Sequence, residues 1–268
     1  MSPISFRHAV FLPLFFGACR SQSAQKPDAS AAARADGGFQ RVADGVSFVR
    51  TERKDSEGRN TAWFIARVDL DRATPVVTEP PHARLDQLGS DAEVTLAING
   101  GFFESDGSPS GLLASAGHSF APWRKEGGSG VLVVSGDRAK IAPADEVRDA
   151  VGSDLAVQCG PRLVEPGGIV GIRSDDGKRA ARTAVCVREH GRELDFVLAW
   201  TRNSDRDGPG LLELARWLTE PLAAGDAGGC EAALNLDGGP STGVVVRGFP
   251  DELRKPFGRV PFALVTKD

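Results

Sequence analysis

Short apolar runs bounded by Gly, Pro and Asp recur from residue 45 to residue 265, and this pattern limits the possible folds more than any other feature of the chain. Runs of this length and punctuation are typical of β-strands. The predicted strands are Gly45–Arg50, Thr61–Leu70, Val94–Ile98, Gly130–Val134, Leu155–Gln158, Arg182–Val187, Leu194–Trp200, Ala232–Leu236, Gly243–Val246 and Val260–Val265. Strands in such close succession do not fit a doubly wound parallel sheet, which needs a helix between most strands.

Only one segment carries a strong helical pattern. Leucines recur at helical spacing within Pro209–Ala224, and a proline suits the first turn of a helix. A weaker pattern covers Ala83–Asp91. We therefore predict an α+β fold, with a largely antiparallel mixed sheet, one main amphipathic helix and a few short helices.

The N-terminal residues are typical of an export signal. Arg7 and His8 precede Ala9–Ala18, an apolar stretch too short to span a bilayer but suited to the core of a signal peptide. The end of this stretch and the next residue, Phe16-Gly-Ala-Cys19, resemble a bacterial lipobox, in which the cysteine is lipidated and becomes the mature N-terminus. The alternative is a plain signal peptide with a chance cysteine.

These features divide the chain into three parts. We expect a signal peptide at residues 1–18, a lipidated cysteine (Cys19) and flexible tether at residues 19–38, and a folded domain at residues 39–268. The residue after the cysteine is Arg20, not the Asp that signals inner-membrane retention, which favours an outer-membrane lipoprotein over a periplasmic or secreted protein. Contact with the membrane is then expected through the N-terminal lipid only.

Composition removes several classes of function. The chain has 32 basic and 36 acidic residues and a net charge of -4, so no electrostatic attraction to nucleic acid is expected. It contains no tyrosine, which excludes a tyrosine nucleophile. Its four histidines are widely spaced and include no His-x-x-x-His pair for zinc.

Three cysteines follow Cys19: Cys159, Cys186 and Cys230. An exported protein can form disulfides, but an odd number leaves at least one thiol unpaired. All three lie in or beside apolar, strand-like runs. The sequence leaves two alternatives open, three small buried core residues or one bridge with a free thiol.

The richest stretch for chemistry is Ala233-Leu-Asn-Leu-Asp-Gly-Gly-Pro-Ser-Thr242. On a strand, the alternation buries the two leucines and puts Asn235 and Asp237 on one face. The strand then runs into Gly238-Gly239, whose amides could form an anion-binding nest, while Ser241 and Thr242 add hydroxyl donors. The structural alternative is a plain hairpin turn in which Asp237 bonds only to its own backbone.

Two other stretches have a related character. Ile98-Asn-Gly-Gly-Phe-Phe103 repeats the order of an apolar strand, a polar residue and two glycines, and adds aromatic side chains that could contact a ring or belong to the core. The strand at Arg182 opens with a guanidinium that suits phosphate or carboxylate, although a single Arg there is often only a solvated charge.

Several motifs in order resemble the phosphodiester glycosidase family over about residues 94–266. The motifs are Asn99-Gly-Gly-Phe-Phe103, Gly111-Leu-Leu113, Gln158-Cys-Gly-Pro-Arg-Leu-Val164 with Gly167-Gly168, Arg182-Thr-Ala184, Leu212-Glu-Leu-Ala-Arg-Trp-Leu218 and Leu234-Asn-Leu-Asp-Gly-Gly-Pro-Ser-Thr242. Two positions depart from the family pattern: Pro240 stands where a third glycine is common, and Cys186 stands where a glycine is usual.

The resemblance implies an exported hydrolase that cleaves the glycosidic bond of a sugar-1-phosphodiester in cell-envelope or extracellular glycans. A carboxylate must then stabilise the oxocarbenium-like sugar, and donors must hold the phosphate. The implied catalytic residues are Asp237, Glu213 and Arg182. The implied substrate-binding residues are Asn99, Gly100, Gly101, Phe102, Arg162, Thr183, Gly238, Gly239, Ser241 and Thr242.

Two other functions remain open at this point. One is a glycan-binding envelope lipoprotein without turnover, and the other is a phosphodiesterase that cleaves the P–O bond. The expected partner is a sugar phosphate or glycan in every case. The sequence requires no cofactor and predicts no metal ligand cluster, although it leaves a divalent metal on Asp237 open.

Overall fold

A computed structural model describes residues 38–78, 85–150, 152–174, 176–202, 204, 206–250 and 254–267. All of these belong to one compact unit, residues 32–268. The predicted signal peptide, Cys19 and nearly all of the predicted tether lie outside the described residues. None of the described helices is long and apolar enough to span a membrane.

The largest sheet has eight strands. Its strands, in spatial order, are β1 (Gln40–Ala43), β2 (Val46–Lys54), β3 (Asn60–Asp69), β14 (Glu193–Thr201), β13 (Arg182–Arg188), β15 (Ala232–Asn235), β11 (Arg162–Glu165) and β12 (Ile169–Val170). The central strands β13, β14 and β15 are buried on both faces, which explains why their sequences are nearly continuous apolar runs.

Two smaller sheets complete the β-structure. The five-stranded sheet has the order β7 (His118–Ala121), β6 (Leu113–Ser115), β10 (Leu155–Cys159), β8 (Gly130–Ser135) and β9 (Arg138–Pro143). The four-stranded sheet has the order β16 (Val244–Val246), β5 (Val94–Asn99), β17 (Ala263–Lys267) and β4 (Val76–Val77). All pairings between these named strands are antiparallel.

The main core lies between the large sheet and the two smaller ones. Phe64 and Phe196 of the large sheet pack there with Leu132 of the five-stranded sheet and Ile98 of the four-stranded sheet. The opposite face of the large sheet is covered by helix α2 (Leu211–Leu218). The smaller helix α1 (Leu85–Leu88) packs on the outer face of the four-stranded sheet.

The observed fold contains more sheet and less helix than the predicted α+β arrangement. Every predicted strand is present, but the amphipathic helix predicted over Pro209–Ala224 is only Leu211–Leu218. The physical reason is Pro221, which lacks an amide hydrogen and cannot continue a helix. After Thr219 the chain turns, and the carbonyl of Leu218 instead accepts a hydrogen bond from the Cys230 amide (2.7 Å).

Two of the three cysteines in the domain form a disulfide. Cys186 on β13 is joined to Cys230, which lies just before β15, and Cys159 on β10 is a buried free thiol. Of the two alternatives left by the sequence, the structure therefore has one bridge with a free thiol. The bridge fixes the start of β15, the strand that leads to Asp237.

Candidate functional site

A cavity of about 450 Å³, open to solvent, lies where three strands of two different sheets end. The lining residues follow β5, follow β15 or precede β17; they are Phe102, Phe103, Asp237, Gly238, Pro240, Ser241 and Arg259. Because β5 and β17 are antiparallel, the end of one and the start of the other lie at the same edge of their sheet. The fold thus brings together segments that are far apart in sequence.

Asp237 is the carboxylate of this cavity. Its Oδ1 accepts a hydrogen bond from the Gly238 amide (2.9 Å). Burial raises the pKa of Asp237 above its ordinary value, although hydrogen bonds from the Ser241 hydroxyl and the Gly238 amide act in the opposite direction. Its proton affinity is therefore higher than that of a solvated aspartate.

The Ser241 hydroxyl connects two parts of the cavity wall. It is a hydrogen-bond partner of the Asp237 carboxylate and lies 3.2 Å from the carbonyl oxygen of Arg259. A hydroxyl has one proton, so it can donate to only one of these two oxygens at a time. Ser241 can therefore also accept a hydrogen bond from Asp237 when that carboxyl is protonated.

The two glycines after Asp237 do not form the predicted anion nest. The Gly238 amide donates to Asp237, and the Gly239 amide donates to the carbonyl of Ala181 (2.6 Å). Backbone geometry explains both glycines, because a Cβ on Gly238 would lie 2.9 Å from the Ala181 carbonyl oxygen and Gly239 has a φ of +57°. Their amides hold the loop in place and are already occupied.

Three of the predicted substrate-binding residues form a buried polar network. Oδ1 of Asn99 accepts hydrogen bonds from the Thr183 hydroxyl (2.9 Å) and the Gly243 amide (3.1 Å), while Nδ2 donates to the carbonyl of Asp237 (2.7 Å). The Thr242 hydroxyl lies 3.4 Å from that of Thr183. All three side chains are fully buried, so they position the Asp237 loop and do not face the cavity.

Packing also accounts for Gly100 and Gly101. A Cβ on Gly100 would lie 2.2 Å from the ring of Phe262, and one on Gly101 would lie 3.3 Å from the Val157 side chain. Neither glycine lines the cavity. The aromatic residues that follow them, Phe102 and Phe103, do line it, and both also pack against the main core.

The two predicted anion-binding arginines lie outside the cavity wall. The guanidinium of Arg182 donates to the carbonyls of Pro209 (3.2 Å) and Lys178 (2.6 Å), and that of Arg162 pairs with Glu165 (2.7 Å). Both side chains are thus held by neighbouring loops or strands. Neither is among the cavity-lining residues.

The arginine that does line the cavity is Arg259, which sequence analysis missed. It is exposed, and its guanidinium donates to the carbonyls of Ser105 (3.1 Å) and Asp106 (3.2 Å). These bonds orient the guanidinium and leave further N–H donors for a ligand. One sequence signal was available, since Arg259 immediately precedes the predicted apolar run Val260–Val265, much as Arg182 opens the run Arg182–Val187.

Glu213 belongs to a different cluster. Its two carboxylate oxygens accept hydrogen bonds from the Ser56 amide (2.8 Å) and the Arg179 guanidinium (3.3 Å). Arg179 also pairs with Asp55 (2.8 Å) and Asp207 (3.2 Å). This arrangement ties the start of α2 to two loops, and Glu213 does not line the cavity with Asp237.

Cys159 lies behind the cavity wall. Burial raises its pKa to about 12, and the nearby Asp237 carboxylate acts in the same direction. The thiol is therefore protonated at neutral pH and has no nucleophilic character. Within the described ranges, no group of three or more His, Cys, Asp and Glu side chains is arranged to hold a metal ion.

Comparison with solved structures shows that the fold of this chain is similar to that of other proteins over most of its length. The catalytic domain of zebrafish N-acetylglucosamine-1-phosphodiester alpha-N-acetylglucosaminidase, auto-inhibited by its pro-peptide, superposes with a TM-score of 0.59 at 18% identity, covering 83% of each chain. A hypothetical protein from Synechocystis superposes with a TM-score of 0.56 at 18% identity, covering 84% of this chain and 62% of that one. At such identities the likeness concerns the fold alone.

Sequence comparison identifies the family. The uncharacterized protein YigE of Escherichia coli (strain K12) is 29% identical over 127 residues, which are 44% of this chain and 50% of that protein. The chain thus matches about half the length of this curated relative. The model of the phosphodiester glycosidase family matches residues 92–265, well over half of the chain and nearly the range of the predicted motifs. This match confirms the resemblance, and the protein belongs to the phosphodiester glycosidase family.

Proposed function

We propose that this protein hydrolyses the glycosidic bond of a sugar-1-phosphodiester in cell-envelope or extracellular glycans. The observation that carries the proposal is the cavity that the partly buried Asp237 lines together with Arg259 and the aromatic residues Phe102 and Phe103. These groups supply a base, a phosphate ligand and an apolar surface for a sugar ring. Membership of the family supports a hydrolase with this chemistry.

Asp237 has the role of general base. A water molecule attacks C1 of the sugar and gives its proton to the carboxylate, while the C1–O bond breaks and its electron pair leaves with the phosphate. The raised pKa of Asp237 makes it a stronger base than a solvated aspartate. The phosphate is a good leaving group, so a second carboxyl acting as an acid is not required.

Arg259 has the role of phosphate ligand. A phosphodiester carries one negative charge, and a second charge develops as the C1–O bond breaks. A guanidinium beside the phosphate therefore stabilises the transition state more than the bound substrate. Phe102 and Phe103 would contact the apolar face of the sugar, whose orientation fixes C1 near Asp237.

The test is sugar release from the methyl phosphodiester of N-acetylglucosamine-1-phosphate by the purified full chain. We expect Asp237→Asn to lose at least about a hundredfold in kcat, as is usual for loss of a general base, and to bind the substrate. Asp176→Asn is the matched control, because Asp176 is exposed and pairs with Lys178 (2.9 Å) away from the cavity lining. A parallel reaction with a chelator shows whether a metal participates.

Oxygen-18 water separates the proposal from its alternatives. Label in the released sugar supports cleavage of the glycosidic bond, whereas label in the phosphate would show P–O cleavage and overturn the proposal. Binding without release by the folded wild type would point to a glycan-binding protein. Direct attack by Asp237 on C1, in place of the base role, would release a sugar of retained anomeric configuration.

We also propose that the domain acts outside the cytoplasm, attached to the outer membrane through lipid on Cys19. The disulfide Cys186–Cys230 supports an oxidising compartment, where such bridges persist. Incorporation of labelled palmitate into the wild type, and its absence in Cys19→Ser, is the expected result. Labelling of neither protein would favour a periplasmic or secreted form.

A further inference from the structure

Phe257 is an exposed aromatic residue beside the cavity. It is 45% exposed, and among the described residues only Ile169 is another large hydrophobic residue with so much exposed surface. Single exposed apolar side chains are common on protein surfaces, so the exposure of Phe257 alone does not indicate a binding site. Its position relative to the cavity does.

The backbone places Phe257 at the cavity rim. The next residue, Gly258, donates its amide to the carbonyl of Pro240 (2.8 Å), and a Cβ on Gly258 would lie 2.5 Å from that of Pro240. Pro240 and Arg259 both line the cavity. Since two residues of extended chain span at most about 7 Å, the Cα atom of Phe257 lies within this distance of that of Arg259.

A cationic side chain accompanies the ring. The guanidinium carbon of Arg206 lies 5.4 Å from the centroid of the Phe257 ring. Arg206 is exposed and has no ion pair with any residue that the structure describes. The contact covers one side of the ring and leaves the guanidinium donors accessible to solvent.

Arg206 and Phe257 belong to two different segments that lie beside the loop after Asp237. Arg206 is in the segment of Gly208, which packs against the carbonyl of Ala180, and the neighbouring Ala181 carbonyl accepts the Gly239 amide. Phe257 is in the segment that packs on Pro240. The Arg206–Phe257 contact therefore joins the two segments that flank the loop after Asp237.

We propose that Phe257 and Arg206 form a second subsite, which binds the alcohol on the far side of the phosphate, and that this alcohol is a sugar with an anionic group. This inference rests on the proposed function. The phosphate on Arg259 directs its second ester oxygen toward the rim, where the apolar face of a sugar packs on the Phe257 ring. A carboxylate or phosphate on that sugar pairs with Arg206, because a guanidinium matches both anions.

The experiment compares three phosphodiesters of N-acetylglucosamine-1-phosphate, in which the second alcohol is methanol, glucose O6 or O6 of a glucose 2-phosphate. Phe257→Ala should raise KM about fivefold or more for both sugar-bearing substrates and leave the methyl ester unchanged. Arg206→Gln should raise KM only for the substrate with the second phosphate, and added salt should reduce that difference. Both variants should keep the wild-type kcat.

Two controls and one binding assay make the outcomes distinct. Ile169→Ala removes the other exposed apolar side chain, and Arg202→Gln removes an exposed arginine that pairs with Glu52 (2.6 Å); neither residue lines the cavity. Equal KM changes for all three substrates, or no change for any, would overturn the subsite. If the wild type releases no sugar, the proposed function fails. Calorimetric binding of glucose 2,6-bisphosphate to the wild type and to both variants then still tests the subsite, because unchanged affinity in the variants would exclude it.

Discussion

The carbonyl oxygen of Asp237 accepts a 2.7 Å hydrogen bond from Nδ2 of Asn99, whose side chain is fully buried. The Asp237 amide in turn donates to the carbonyl of Gly100 (3.2 Å). Both polar groups of the Asp237 backbone are thus held by the end of β5. This cross-sheet link fixes the position of the catalytic candidate without touching its carboxylate.

Replacing Asn99 by alanine should therefore destabilise the protein strongly. The Asp237 carbonyl, the Gly243 amide and the Thr183 hydroxyl would all lose a buried partner. Unsatisfied buried groups cost about 1–3 kcal/mol each, and partial relaxation leaves an expected loss of about 3 kcal/mol. Equilibrium unfolding in urea measures this loss.

The matched control for Asn99→Ala is Thr183→Val, which keeps the shape of the side chain and removes one donor. Its expected loss is about 1 kcal/mol. If both variants lost the same free energy of unfolding, the network would not depend on Asn99. If neither variant lost stability, the buried hydrogen bonds would not stabilise this end of β5.

The pKa of Asp237 predicts a pH-dependent stability difference. Because burial raises the pKa in the folded state, the folded protein binds more protons than the unfolded chain between the ordinary pKa of 3.8 and the raised value. The wild type therefore loses stability as pH rises through this window. Asp237→Asn has no charge to bury and should be more stable than the wild type at pH 7, with the difference disappearing below about pH 3.8.

Asp55→Asn should show the opposite sign. Burial raises the pKa of Asp55, but hydrogen bonds from the Arg59 side chain and backbone outweigh it and hold the pKa below its ordinary value. The Asp55 carboxylate stabilises the fold above pH 3.8, and its removal should destabilise at pH 7. Melting temperatures across pH 3–8 test both variants, and a stability gap of the same sign for both would contradict this assignment.

The sequence predicted strands well where the chain is apolar on both faces of a sheet, as in β13, β14 and β15. It did not predict seven strands. Five of them lie at sheet edges and have mostly exposed or half-buried side chains, namely β1, β4, β7, β9 and β12, and the other two, β6 and β11, have only three and four residues. Such strands exist because a neighbouring strand offers hydrogen bonds, and their sequences carry little periodicity. The predicted helix is too long because the leucine spacing continues to Leu222, past Pro221, where the backbone cannot donate a helical hydrogen bond.

Part of the site was also predictable from the apolar pattern of a buried strand. Alternation along β15 indicated that Asp237 follows a buried strand beside a glycine loop, and the structure has it in the cavity wall. The sequence could not show that Gly100 faces the Phe262 ring or that Asn99 reaches the Asp237 carbonyl, because both contacts join distant segments. It also could not show which arginine enters the cavity, since this depends on how the sheets pack.

Replacement of Arg259 and of Arg182 tests which arginine contributes to the cavity. Arg259→Gln removes a charged donor from the cavity, and we expect kcat/KM to fall about 10- to 100-fold, as for loss of a charge-assisted hydrogen bond. Arg182→Gln removes bonds to the Pro209 and Lys178 carbonyls, so we expect a stability loss of about 1 kcal/mol and less than about a threefold change in kcat/KM. Steady-state kinetics on folded protein measures both.

The outcome assigns the phosphate ligand. Loss of turnover in Arg182→Gln, with Arg259→Gln unaffected, would return the role to the residue that the family resemblance first implied. Arg259→Lys refines the result, because a lysine keeps the charge and loses the planar fork. Partial activity in that variant would indicate that charge contributes more than bidentate geometry.

The disulfide predicts a measurable contribution to stability. Cys186 and Cys230 are separated by 44 residues, and loop-closure entropy for a loop of this length corresponds to about 4 kcal/mol. The double variant Cys186→Ala, Cys230→Ala should lose stability of this order, and reducing agent should lower the urea midpoint of the wild type but not that of the double variant. Cys159→Ala is the control. The Cys159 thiol is free in the wild type, so this variant should respond to reductant as the wild type does. An unchanged midpoint for the reduced wild type would show that the bridge does not stabilise the start of β15, and Asp237 would then be held by the hydrogen bonds of its loop and of the Asn99 network.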